Sequence, residues 1–199
     1  MRLLLLFIAC CLAWPAAAQQ TPPPARTVKH QVLTSGSLPR IRLKFDKDFK
    51  YAGTQSFVLY ERSQAQQFFF VDAGKGGQIK RMYMIQFEGY LPTTNATYDY
   101  AVTASVDLHG QTYITNTESV PSISALLKQA PDSDAARAVA FLTQKGLHMS
   151  DSVRYQRFVR LVDDAKRNEF IIVYIEDAGT KQDDKEFSAR ALKGITVLD

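Results

Sequence analysis

Met82, Met84, Gln86, Glu88 and Tyr90 alternate along the chain with Tyr83, Ile85 and Phe87. Successive side chains of an extended chain point to opposite faces, so the first five fall in one line. Two methionines, an amide, a carboxylate and a phenol suit a small, partly apolar ligand. Methionine adapts to irregular shapes, and a few polar groups fix orientation. Glu88 becomes a general base only if burial raises its pKa. The simpler reading is a surface face whose acid pairs with Arg or Lys.

A second group lies on VRYQRFVRLV, where Arg154, Arg157 and Arg160 recur at spacing three. A strand places Arg154 and Arg160 on one face and Arg157 on the other. The next strand brings Glu169, Glu176 and Asp177 alongside, so cross-strand ion pairs are the plain expectation. Arg157 shares its face with Tyr155, Val159 and Leu161. A guanidinium set among apolar groups there has the planar fork that carboxylates and phosphates fit. The expected ligand-binding set is therefore Met82, Met84, Gln86, Glu88, Tyr90 and Arg157, with no catalytic residue assigned.

Other constellations carry less chemistry. DAGKGG, at 72–77, has its lysine before the glycine pair, with no Ser or Thr following. The nucleotide loop needs the lysine after the glycines and a helix next; here an alternating, strand-like stretch follows. DAGKGG reads as a hairpin turn. His30, His109 and His148 have no metal-ligand spacing, and no G-x-S-x-G elbow occurs. Asp132-x-Asp134 and Asp183-Asp184-x-Glu186 lack the glycine-bearing calcium loop and stand where helix N-termini favour acids. No metal or cofactor is expected.

The elements that position these residues follow from periodicity. Period two marks strands at Ile41–Phe45, Phe57–Arg62, Gln67–Val71, Gln78–Tyr90, Tyr98–Leu108, Gln111–Thr117, Val153–Val162 and Glu169–Glu176, with a turn at Tyr51-Ala52-Gly53. Helical spacing and caps predict helices over 122–130, 133–145 and 184–193, with Gly146 and Gly194 as stops. Strands run in neighbouring series and helices are segregated, which predicts an α+β fold. We expect one domain over 38–197: a curved antiparallel sheet of seven or eight strands with the helices packed on one face. No strand–helix–strand rhythm supports a parallel nucleotide-binding sheet.

The first residues, MRLLLLFIACCLAWPAAA, pair Arg2 with an apolar run and an Ala-x-Ala site, so 1–18 is read as a secretory signal peptide. Lipidation at Cys10 is the rival reading. The apolar run is too short for a bilayer of about 30 Å, and no later stretch is long enough to span one. Cys10 and Cys11 are the only cysteines, so the mature chain would have no thiol nucleophile, thiolate metal site or disulfide. The formal net charge is +4, and residues 19–50 hold seven basic and two acidic side chains. Residues 19–37, with Pro22-Pro23-Pro24, read as an extended basic leader with order starting near Leu38; Val32 and Leu33 could add a short edge strand. Such an arm suits an anionic surface or an envelope protein; nucleic acid is not an expected partner of an exported chain.

These readings converge on an exported, periplasmic or secreted, non-catalytic protein that holds a small, partly apolar ligand between sheet and helices. One alternative is an envelope protein that docks a partner through a sheet edge or the basic arm. Another is a cofactor-free hydrolase or isomerase using Glu88.

Overall fold

The computed structural model describes residues 26–179 and 183–198. The expected signal peptide, the Cys10 alternative and the proline run of the leader lie outside the described residues.

Alternating side chains build most of the strands. A seven-stranded antiparallel sheet has the order β4-β5-β6-β10-β9-β8-β7. Its strands are β4 (Lys50–Leu59), β5 (Ser63–Ala73), β6 (Ile79–Tyr90), β7 (Ser105–Leu108), β8 (Gln111–Val120), β9 (Val153–Leu161) and β10 (Asn168–Asp177). A second, four-stranded antiparallel sheet has the order β1-β2-β3-β11. It comprises β1 (Arg26–Lys29), β2 (Val32–Ser35), β3 (Ile41–Phe45) and β11 (Ile195–Leu198). Helices are a minor part: α1 (Ile123–Gln129), α2 (Asp134–Gln144) and α3 (Asp184–Lys193). The α+β antiparallel fold read from periodicity is the fold observed, divided between two sheets.

The two sheets face one another across an aromatic core. Leu33, Leu43 and Phe45 of the smaller sheet meet Phe68, Phe70, Tyr83, Ile85, Phe87, Phe170 and Tyr174 of the larger. Phe45 stacks on Phe70 with ring centroids 3.6 Å apart. Phe187 and Ala191 of α3 complete this layer. On the outer face of the larger sheet, Ala138 and Leu142 of α2 pack on Phe69, Met82, Met84 and Val173. Adjacent Phe68, Phe69 and Phe70 are all buried because both faces are covered. The helices, expected together on one face, thus divide: α2 lies on the outer face and α3 on the inner.

Several boundaries shift. Residues 26–35, expected within the leader, form the β1–β2 hairpin, so among the described residues regular structure is present from Arg26 on instead of starting near Leu38. The hairpin is anchored by Arg26, whose guanidinium carbon lies 3.8 Å from the Phe87 ring centroid. Its Nη1 donates to Gln66 Oε1 at 2.9 Å. Burial pulls the Arg26 pKa down to about 10. The turn expected at Tyr51-Ala52-Gly53 is instead a register shift inside β4. Gly53, at φ +133°, leaves space there for Phe141: a Cβ would sit 2.9 Å from its ring. The strand expected over Tyr98–Leu108 is regular only at Ser105–Leu108. The Tyr98 and Tyr100 side chains alternate because they cover the sheet, without pairing in it. DAGKGG does join two strands, β5 and β6.

Candidate functional site

The faces of β6 divide as the alternation predicts. Met82 and Met84 point outward beneath α2. They are closed into apolar packing, with exposures of 1% and 7%. Further along the same face the packing becomes polar, and Gln86 and Glu88 are buried.

Gln55, Gln67 and Gln86 are register partners on β4, β5 and β6. Their amides form a directional chain: Gln55 Nε2 donates to Gln67 Oε1 at 2.7 Å. Gln67 Nε2 donates to Gln86 Oε1 at 2.7 Å, and Gln86 Nε2 to Glu88 Oε2 at 2.7 Å. Ser63 Oγ donates to Glu88 Oε1 at 2.6 Å, and Tyr98 Oη donates to the same oxygen at 3.0 Å. Three donors therefore converge on one buried carboxylate, which is how a buried acid is made tolerable. Asp134, in the first turn of α2, stands over this row: its carbonyl accepts from Gln67 Nε2 at 3.3 Å.

Glu88 has a neighbour that sequence reasoning placed elsewhere. Glu169 on β10 is its direct register partner. Glu169 was expected to pair with the arginine series; instead it is 4% exposed and accepts a hydrogen bond from the Tyr100 hydroxyl. Burial pushes its carboxyl up to about 7, with the charges of Glu88 and Asp134 adding to the rise and the Tyr100 hydrogen bond and Arg157 opposing it. Tyr98 and Tyr100 are held above the ordinary phenol range, first by burial and then by the acids they bond. Both phenols thus stay protonated as donors.

Tyr90 and Arg157 border this cluster. Tyr90 stacks on Tyr98 with centroids 4.3 Å apart. Arg157 donates from Nε to Asn116 Oδ1 at 3.1 Å, and its guanidinium carbon lies 5.7 Å from the Tyr100 ring centroid. The structure therefore brings Gln86, Glu88, Tyr90 and Arg157 around one acid–phenol cluster and sets Met82 and Met84 beside it under α2. The cover over the acids is the stretch 91–104, which contains no named strand or helix. Its backbone ties to the rest include Tyr98 N–H to Lys166 O at 2.8 Å and Thr115 N–H to Ala104 O at 3.0 Å.

Among the described residues, two of the clefts lie elsewhere, along the inner face of the larger sheet. One, of about 580 Å³, is lined by Asp72, Arg81, Glu176 and Arg190 among others. Asp72, Arg81, Glu176 and Arg154 are successive partners across β5, β6, β10 and β9, a row of alternating charge. Arg81 pairs with Asp72 at 2.6 Å and Arg190 with Glu176 at 2.9 Å, so cation and anion already meet within the cleft. The other, of about 250 Å³, lies where β3, β11, β8 and β9 come together. Among the described residues no group of three or more His, Cys, Asp or Glu side chains is placed to hold a metal ion. No helix among them is long and apolar enough to cross a membrane.

These features define an antiparallel α+β protein of two sheets with a buried acid–phenol cluster on its outer face. No family model matches this chain, and no curated protein or solved structure matches it significantly.

Proposed function

We propose that this chain is an exported, non-catalytic binding protein that holds a small, partly apolar ligand between its larger sheet and the elements covering it. One observation carries the reading. Two register-paired buried carboxylates, Glu88 and Glu169, are covered by hydroxyls from a stretch outside the regular elements. The Tyr98 and Tyr100 hydroxyls are donors that a ligand's hydroxyl or amino groups would replace as 91–104 swings outward. Met82, Met84 and Phe69 would receive its apolar part, and Arg157 would border the polar part. Glu88 already accepts from three protein donors, which suits positioning better than proton abstraction.

The test is native mass spectrometry of gently purified protein beside the same sample denatured. A bound mass released on denaturation, and reduced in Gln86→Ala and Arg157→Ala, is the expected result. A clean unliganded spectrum, or unchanged occupancy in both variants, would overturn it.

A second reading, partner docking at a sheet edge, rests on β4. This edge strand and the turn after it expose Tyr51, Val58 and Tyr60 at 38%, 44% and 58%. Strand addition by a partner at such an edge predicts that Val58→Lys abolishes capture of that partner while ligand occupancy survives.

A further inference from the structure

We infer that the 250 Å³ cleft at the seam of the two sheets is a binding site for a small amphiphilic carboxylate, a short aliphatic chain ending in one negative charge. Among the described residues its lining includes Arg40 and Arg160 and no acid; Ile41, Leu108, Val197 and Leu198 supply apolar walls. Drug-sized ligands occupy roughly 300–1,000 Å³, so this volume suits a smaller molecule. The site lies on the opposite face of the larger sheet from the Glu88–Glu169 cluster and does not depend on it.

Arg160 is set for an anion. Its guanidinium carbon lies 5.6 Å from the Tyr113 ring centroid, and one terminal nitrogen donates to Gln111 Oε1. Those contacts bracket the guanidinium between a ring and an amide. Its Nε is buried and has no hydrogen-bond partner. An unmet donor at a buried atom is costly, and an entering carboxylate would relieve that cost by taking Nε–H and a terminal N–H together after a small turn of the fork. Arg40 is exposed at the lip and has no ion pair among the described residues. The contrast with the 580 Å³ cleft decides the choice: there both arginines of the lining, Arg81 and Arg190, already pair with Asp72 and Glu176.

The probe is sodium hexanoate, titrated calorimetrically into the full chain, with hexylammonium and inorganic phosphate as comparators. Hexanoate should bind more tightly than either. Arg160→Gln should weaken it about tenfold or more, and Arg160→Lys should fall between, because lysine keeps the charge and loses the fork. Arg40→Glu, at an exposed position where misfolding is not at issue, should weaken hexanoate several-fold even if Arg160→Gln fails to fold. Unchanged hexanoate affinity in Arg40→Glu, equal binding of hexylammonium, or phosphate binding as tightly as hexanoate would each overturn the assignment.

Discussion

Replacing Glu169 with glutamine should remove a pH dependence of stability that the buried carboxyl imposes. In the unfolded chain this group ionises near 4.5; in the fold it keeps its proton to about 7. Because the raised value belongs to the folded state, its stabilising contribution is full below pH 4.5 and is lost as pH rises to about 7. The loss across that window is about 3 kcal/mol. Glutamine has similar shape, still accepts from Tyr100, and cannot ionise. Urea unfolding of both proteins from pH 4 to 8.5 isolates the effect, since the remaining groups are common to both. The stability of Glu169→Gln relative to wild type should rise through the window and level off above it. A flat difference would mean that Glu169 ionises normally, and burial beside Glu88 would not be controlling it.

Three further outcomes follow from geometry. Gly76 and Gly77 both have left-handed backbone, but a Cβ on Gly76 meets nothing within 4 Å while one on Gly77 would lie 1.9 Å from the Gly146 carbonyl oxygen. Gly76→Ala should therefore cost about 1 kcal/mol and Gly77→Ala distinctly more, read as urea midpoints; equal costs would refute close packing of the β5–β6 turn on the end of α2. Arg26→Ala should cost about 2 kcal/mol through its lost hydrogen bonds and its stacking on Phe87, and an unchanged midpoint would show that the β1–β2 hairpin adds nothing. Gln67→Leu should cost about 2 kcal/mol by leaving the Gln55 amide and Gln86 carbonyl without partners, whereas near-neutrality would mean that water replaces the ladder.

The outer-face site was partly legible. Alternation alone put Met82 to Tyr90 on one face, Tyr83 to Phe87 on the other, and Arg157 opposite Arg154 and Arg160. The limits of α3 were readable because Asp183 caps it and Gly194 follows its last residue. Glu169 escaped because its role comes from register: pairing with Glu88 depends on how β10 lies against β6, which periodicity leaves open. The second sheet escaped for a related reason. β1, β2 and β11 have only four residues each. The β1–β2 turn is made by His30 and Gln31 at positive φ, without the Asn-Gly or Asp-Gly signal that marks such turns. Tyr98 and Tyr100 misled in the opposite direction, since a segment lying over a sheet can alternate as well as one within it.

The seam between β3 and β11 also orders assembly in time. Ile195 pairs with Phe45, and Leu198 with Arg42, joining stretches far apart in the chain. Closing so long a loop is entropically slow, and contacts of this kind tend to form late in folding. The inner layer can therefore be sealed only after the last strand in chain order, β11, has been delivered. Phe45 and Tyr83 can be synthesised and paired early, yet the layer around them stays open on one side until α3 and β11 have emerged.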